Sequence, residues 1–164
     1  MLRKLKGRSA TAVGGRFAVV ASRYNQRYVH SMVRAATAEL QRRGAKHIRI
    51  VRVPGAFEIP AVAASLARQR TPGWDAIICL GVILRGETAH ADLIGQSVSH
   101  ALGLLQVETG LPIIHEVLLL DNRQQARVRC LDPDHNRGRE AAQTALVMSE
   151  VMVKVRRGGG PGGR

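Results

Sequence analysis

The stretch Arg85–His90, RGETAH, holds the residue types best suited to phosphate binding and proton transfer. The imidazole of His90 is the side chain of this stretch best placed for proton transfer, as a general acid or base. Gly86 permits an unusual backbone angle, and Thr88 offers a hydroxyl beside a predicted helix start whose free N–H groups can hold a phosphate. A helix start supplies only about 0.3–1 kcal/mol, so tight phosphate binding would need a nearby cation. The spacing alone leaves a second interpretation open, in which Thr88 caps the helix and His90 is simply an exposed side chain.

Two further stretches combine small, aromatic and acidic residues. In Val53–Pro60, VPGAFEIP, a Pro-Gly turn precedes a predicted helix. Gly55 lets a ligand approach the backbone closely, while Glu58 is either a ligand-binding carboxylate or a favourable first-turn acid. In the stretch SRYN, Tyr24 can stack on a flat heterocycle or pack over the next helix start, and Asn25 is predicted to cap that helix. Both stretches are therefore candidate parts of a binding site.

The remaining histidines and the two cysteines show no metal-ligand spacing. His135, in the sequence DPDH, comes nearest to a metal-binding pattern, but a solvated loop is the favoured interpretation. Cys79 lies in the apolar run IICLG and is predicted to be an inert core thiol, and it forms no CxxC pair with Cys130. Reduced thiols in a cytoplasmic protein are the favoured interpretation. We predict no metal site.

Strands and helices alternate along the chain, and this order predicts which elements position the three stretches. Short apolar or alternating runs predict strands, and apolar residues at helical spacing predict helices. The predicted strands cover residues 17–21, 47–53, 75–84 and 112–120, and the predicted helices cover residues 26–43, 57–70, 90–109, 122–130 and 137–156. The predicted fold class is α/β, a flavodoxin-like three-layer sandwich with a four-stranded parallel sheet. Ligands bind beyond the carboxyl ends of such strands, where the polar stretches fall.

The length of 164 residues suits one domain, which we predict at residues 15–155. Residues 1–14 are predicted to form a basic, flexible arm, and residues 156–164, with the sequence RRGGGPGGR, a disordered tail. No apolar run approaches the length of a membrane span, and the start of the sequence is not typical of a secretory signal.

The basic residues are concentrated at the two ends of the chain. Without the eight basic residues of segments 1–8 and 154–164, 17 of the 25 remain against 12 acidic residues, so the net charge falls from +13 to +5. Aromatic residues make up only 3% of the chain, too few to provide platforms for base stacking. Nucleic acid is therefore not a predicted partner, except nonspecifically through the basic tails.

Taken together, VPGAFEIP at residues 53–60, GVILRGETAH at residues 81–90 and NRG at residues 136–138 resemble the lumazine synthase family. The resemblance runs in order along nearly the whole predicted domain, and it implies a four-stranded parallel sheet flanked by helices. It also implies an activity: the condensation of 5-amino-6-(ribitylamino)uracil with 3,4-dihydroxy-2-butanone 4-phosphate to 6,7-dimethyl-8-ribityllumazine in riboflavin biosynthesis. That reaction uses two small-molecule substrates and implies no cofactor and no metal.

The resemblance implies roles for individual residues. The implied pyrimidine- and ribityl-binding residues are Tyr24, Ala56, Phe57, Glu58, His115 and Arg137, and the implied phosphate-binding residues are Gly86, Glu87, Thr88 and Arg129. His90 would move protons between the reacting groups. Arg129 would supply the cation that the phosphate site requires; without the resemblance it would be interpreted as an exposed helix arginine.

The resemblance further implies a homo-oligomer. Members of the family form pentamers with active sites between neighbouring subunits, and some assemble into a sixty-subunit shell, so the strand Ile113–Glu116 would complete a neighbour's pocket. The sequence departs from the family there: His115 replaces a common aromatic residue, and Glu116 stands near a usual glycine. Arg137 also replaces a usual lysine. These departures motivate an alternative, a catalytically weak relative that binds lumazine or flavin or forms a shell.

Overall fold

The structure is a computed structural model that describes residues 15–158. Its strands are β1 (Arg16–Ser22), β2 (His47–Val53), β3 (Ala76–Leu84) and β4 (Ile113–Leu120), and its helices are α1 (Gln26–Arg42), α2 (Ile59–Ala67), α3 (His90–Thr109), α4 (Arg123–Cys130) and α5 (Arg137–Arg156). The strands form one parallel sheet in the order β2-β1-β3-β4. The predicted α/β fold class is confirmed. The predicted arm at residues 1–14 and the part of the predicted tail at residues 159–164 lie outside the described residues.

The strand register places the predicted site stretches at one edge of the sheet. Ser22 pairs with Val53, and Leu84 pairs with Leu120. Because all four strands run in the same direction, their carboxyl ends meet at this edge. The loops that follow β1, β2 and β3 therefore emerge together, and they contain SRYN, VPGAFEIP and RGETAH. We call this side the carboxyl edge.

Helices cover both faces of the sheet, and two apolar cores result. The α1 face is covered by α1, α4 and α5, whose buried residues pack with Phe17 and Val19 of β1. The α3 face is covered by α2 and α3, whose buried residues pack with Ala18 and Val20. Alternation along β1 thus assigns successive side chains to opposite cores, which is why all five residues from 17 to 21 are apolar. Cys79 on β3 is fully buried, and burial raises the pKa of its thiol to about 12, so the predicted inert core cysteine is confirmed.

One predicted helix differs from the structure. The sequence predicts a continuous helix over residues 57–70, whereas the chain forms a 3-10 turn at Ala56–Glu58 and then α2 from Ile59 to Ala67. Pro60 lies in the first turn of α2, where its missing N–H costs nothing because that group has no partner inside the helix. Within residues 15–158, every helix is too short or too polar to span a bilayer.

Candidate substrate site

Tyr24, Gly55 and Glu58 form one cluster at the carboxyl edge. The backbone N–H of Tyr24 donates to the carbonyl of Pro54 at 3.1 Å, and the N–H of Gly55 donates to Glu58 Oε2 at 2.8 Å. A Cβ at Gly55 would lie 2.9 Å from that oxygen and 3.0 Å from Tyr24 Cδ2. The space beside Gly55 is therefore filled by the chain's own ring and carboxylate, and only glycine lets both approach.

Asn25 holds this cluster in place, but its side chain does not cap α1 as the sequence predicts. It occupies the N-cap position of α1, but its side chain makes no capping hydrogen bond. Instead, its amide donates to the carbonyl of Val82 on β3 at 2.8 Å, and its φ of 56° is left-handed. Asparagine tolerates that backbone region better than most residues. Asn25 thus ties the end of β1 to β3 and holds Tyr24 over the edge.

The 3-10 turn Ala56–Glu58 connects the cluster to the rest of the edge. The turn contacts β1, β3 and α3. Ala56 is buried, whereas Phe57 is 60% exposed and Tyr24 is 70% exposed. Large exposed aromatic side chains are typical of binding or interface surfaces. This part of the edge offers ring faces and one carboxylate to a flat, hydroxyl-bearing molecule.

The loop from Gly86 to His90 is exposed at the same edge. Gly86 does not have the unusual backbone angle that the sequence suggested: its φ is not in the left-handed region, and a Cβ there would meet nothing within 4 Å. Thr88 is not at the N-cap position, which belongs to Ala89; the Thr88 hydroxyl accepts a long bond of 3.4 Å from the N–H of His90. The start of α3 therefore has no side-chain cap, and the residues that precede it are exposed.

Sequence reasoning missed Arg85, which anchors this loop. Its Nη1 donates to Asp92 in the first turn of α3, and its Nε donates to Asp121 after β4 at 3.0 Å. Its backbone N–H donates to the carbonyl of Leu120 at 2.9 Å. Arg85 thus joins the ends of β3 and β4 to α3. The partner after β4 lies 36 residues away in sequence, so no local pattern could have identified it.

Two predicted site residues, Arg129 and Arg137, lie on the other face of the molecule. Arg129 is exposed in the last turn of α4, about 9 Å along the helix from its start. Arg137 begins α5 and donates to Glu140 at 2.7 Å. Both helices belong to the α1 face, whereas His90 begins a helix of the α3 face. The chain therefore does not bring the predicted phosphate cation to its own Gly86–Thr88 loop.

His115 also lies away from the carboxyl edge. It is five residues before the end of β4, about 16 Å along the strand. Its Nδ1 accepts from the N–H of Val117 at 3.1 Å, so its Nε2 carries the proton and donates to Ser99 Oγ at 2.7 Å. The Ser99 hydroxyl donates in turn to the carbonyl of Gly95 at 2.8 Å. Burial lowers the pKa of His115, so the imidazole is held neutral in a chain of hydrogen bonds.

Glu116 points to the α1 face, opposite His115. Burial raises the pKa of its carboxyl group to about 7, against the lowering effects of Arg137 and Arg129. Alternation along β4 indicates which face Glu116 occupies, but the sequence does not reveal that both arginines would lie near it. This group is the second feature that sequence reasoning missed.

The comparison with known protein families identifies the chain. Residues 14–153 match the family model described as 6,7-dimethyl-8-ribityllumazine synthase. The match covers well over half of the 164 residues and contains all of the candidate site residues above. The predicted family is confirmed: this chain belongs to the 6,7-dimethyl-8-ribityllumazine synthase family.

Proposed function

We propose that this protein condenses 5-amino-6-(ribitylamino)uracil with 3,4-dihydroxy-2-butanone 4-phosphate to form 6,7-dimethyl-8-ribityllumazine. Its family belongs to riboflavin biosynthesis. One observation carries the proposal: the 3-10 turn Ala56–Glu58 touches α3, and Ala56 packs in the same buried core as Ala91, the residue that follows His90. A two-substrate condensation needs such an arrangement, with a recognition surface for one substrate next to a proton carrier and an anion site for the other.

The first substrate would be bound by the cluster around Gly55. The exposed ring of Tyr24 offers a face on which a pyrimidine can stack, and Phe57 offers a second apolar surface beside it. Glu58 keeps one oxygen on the Gly55 N–H, which orients the carboxylate and leaves the other oxygen for ribityl hydroxyl groups. Rigid placement of the heterocycle would hold its amine toward the loop at His90.

The second substrate would place its phosphate at the open loop Gly86–Thr88. The uncapped N–H groups at the start of α3 favour an anion there, and the Thr88 hydroxyl can donate to it. His90 would then move protons while the amine attacks the ketone and forms an imine with loss of water. Phosphate leaves, and the enol closes the ring with loss of a second water. Each step moves a proton, which suits an exposed imidazole.

The cation for that phosphate would come from a second copy of the chain. Arg129 lies on the α1 face, so a neighbouring subunit must present its Arg129 to complete the site. Exposed apolar side chains on α3 support such an assembly, since Leu93 is 61% and Val107 81% exposed. The proposed assembly is a homo-oligomer, either a pentamer or a sixty-subunit shell, with His115 and Arg137 contributed to the neighbour's pyrimidine pocket.

The deciding experiment incubates the purified protein with both substrates and follows the fluorescent lumazine. A rate above a protein-free control at saturating substrate is expected. No rate above that control would contradict the proposal. Tight binding of the lumazine without turnover would instead support the second candidate, a lumazine- or flavin-binding relative, for which the departures at His115 and Glu116 are the motivation.

A further inference from the structure

Glu116 is a carboxylic acid in an otherwise apolar row of β4. Side chains alternate along a strand, so Glu116 shares its face with Ile114, Leu118 and Leu120, which pack in the core of the α1 face. Its register partner on β3 is Leu80, which is fully buried in the same core. Glu116 itself is half-buried. An ionised carboxylate in such a place costs free energy unless cations or hydrogen bonds compensate it.

The charged groups that face Glu116 include two residues with proposed substrate roles. Burial has the largest effect on its pKa and raises it. Arg137 on α5 and Arg129 on α4 lower the pKa, Glu140 on α5 raises it, and the result is about 7. Cys130 on α4 also faces the carboxyl group, and its buried thiol has a pKa of about 12, raised by burial and by the charge of Glu116. At neutral pH, Glu116 is therefore close to the midpoint of its titration.

Glu39 is another buried carboxylate of this chain, and it provides a comparison because cations bind it directly. Glu39 is 5% exposed and accepts hydrogen bonds from Arg42 at 2.7 Å and Arg43 at 3.2 Å. Although burial opposes them, these bonds lower the pKa of Glu39 and keep it ionised.

Glu116 is held differently. Within residues 15–158 no ion pair joins it to a cation, and Arg137 is paired with Glu140 instead. The guanidinium of Arg129 thus lies near the charge of Glu116 without being bound to it. It is available to another anion.

We propose that Glu116 is a positioning residue that couples the binding of a phosphate group at Arg129 to the uptake of one proton by the Glu116 carboxylate. The inference rests on the proposed function, which assigns Arg129 to the substrate phosphate. Phosphate and an ionised Glu116 would compete for the same cations and repel each other, so binding favours the protonated carboxyl group. The proton comes from solvent and returns to solvent when phosphate leaves. No covalent bond to the protein is made or broken.

The coupling has a measurable consequence for affinity. Since binding takes up a proton, phosphate affinity falls as the pH rises above the midpoint of Glu116, with a limiting slope of about tenfold per pH unit. Glu116→Gln keeps the shape of the side chain and is always neutral, as the protonated acid is. The variant is expected to bind the anion at high pH as tightly as the wild type does at low pH.

The test titrates the purified full-length protein, in its native assembly, with sulfate. Sulfate is a divalent anion that does not itself titrate near neutral pH, so every proton taken up belongs to protein or buffer. Calorimetry between about pH 6 and pH 8, in two buffers with different ionisation enthalpies, gives the affinity and the number of protons bound. Glu108→Gln, an exposed site on α3 outside the proposed site, is the charge-matched control, and Arg129→Ala is expected to lose sulfate binding.

In the wild type and in Glu108→Gln, we expect proton uptake on binding and an affinity for sulfate that falls as the pH rises. In Glu116→Gln, we expect fewer protons to be taken up and the affinity to depend less on pH. Equal proton uptake in the wild type and Glu116→Gln would overturn the inference. Should Glu116→Gln fail to fold, the wild type alone decides, because sulfate binding that is absent or independent of pH contradicts the coupling.

The lumazine assay separates this inference from the proposed function. Turnover without proton-linked sulfate binding refutes only the role of Glu116. Proton-linked binding that needs Arg129, without turnover, refutes the condensation and leaves the anion site in place.

Discussion

The backbone of Gly138, at the start of α5, lies directly against the backbone of Met32 in α1. A Cβ on Gly138 would overlap the carbonyl oxygen of Met32 and lie 2.6 Å from its Cα. The neighbouring Asn136 caps α5 by accepting from the N–H of Gly138 at 2.9 Å, and its amide donates to Ser31 of α1 at 3.3 Å. The sequence NRG therefore lets α5 pack closely against α1. It also sets the position of Arg137, which stands between the two residues that make these contacts.

Gly138→Ala is expected to lower the free energy of unfolding by about 3 kcal/mol or more, because a methyl group cannot fit against a main chain that has no freedom to withdraw. Gly103→Ala is the matched control, since Gly103 is also helical and a Cβ there meets nothing within 4 Å. The control is expected to gain about 0.5–1 kcal/mol from the lower backbone entropy of alanine. Urea unfolding at a fixed protein concentration measures both. Equal stabilities of the two variants would show that the α1–α5 contact is not as close as described.

Glu116→Gln is expected to raise stability at alkaline pH and to leave it unchanged at acid pH. The folded state keeps a proton on Glu116 up to about pH 7, whereas the ordinary pKa of a glutamate carboxyl group is 4.5. Stability of the wild type therefore falls as the pH rises between these values, by at most about 3 kcal/mol. The variant lacks this loss. Thermal unfolding of the wild type, Glu116→Gln and Glu108→Gln at about pH 4 and pH 8 measures this difference in stability. Parallel pH curves for all three proteins would contradict the raised pKa of Glu116.

Local patterns in the sequence were sufficient to predict the elements of the fold. The spacing of Val29, Met32, Val33, Ala36 and Leu40 predicts one apolar face for α1, and all five are buried. The alternation of β-strands with helices predicts the parallel sheet, because a parallel pair requires a crossover of that length. The start of α2 differs from the prediction, since periodicity does not distinguish a 3-10 turn from a helical turn when Pro60 permits either.

The candidate site was predicted only in part, because its geometry depends on contacts between distant residues. Asn25 has the residue type of a cap, yet a carbonyl 57 residues away on β3 takes its amide. Local capping propensity cannot account for that competition. Arg85 is likewise fixed by Asp121, and Arg129 and Glu116 are placed together by the packing of α4 against β4. Which residues lie at the carboxyl edge follows from strand order, whereas which partners they have does not.

Gly86→Ala is expected to separate folding from phosphate binding. A Cβ at Gly86 meets nothing, and the backbone angle suits alanine, so the variant folds with unchanged or slightly higher stability. If phosphate lies against this backbone, the KM for the phosphorylated substrate rises on the order of tenfold, about 1.4 kcal/mol.

Gly55→Ala is the comparison for that variant. Its Cβ displaces Tyr24 or Glu58, so the KM for the pyrimidine substrate is expected to rise instead. Steady-state kinetics with each substrate varied in turn distinguishes the two. An unchanged KM in Gly86→Ala would remove the phosphate from this loop.

His90→Ala is expected to lower kcat by about 10²–10⁴-fold without abolishing turnover. Orientation of the two substrates would survive the loss of the imidazole, and well-oriented pairs reach effective molarities of about 10⁵–10⁸ M. His100→Ala, on the exposed surface of the same helix, is the matched control and is expected to keep wild-type kcat. A rate in His90→Ala no higher than that of the mixed substrates without protein would contradict this division between proton transfer and orientation.

Mixed oligomers of His90→Ala and Arg129→Ala are expected to be more active than either variant alone. His90 begins a helix of the α3 face and Arg129 ends a helix of the α1 face, so a site between subunits takes one from each chain. In an assembly formed from equal amounts of the two variants, about one quarter of the sites would receive an intact His90 and an intact Arg129. Coexpression with two purification tags isolates such mixtures, and the lumazine assay reads their activity. If both residues acted within one chain, every site would lack one of them, and the mixture would show only the average of the two variants.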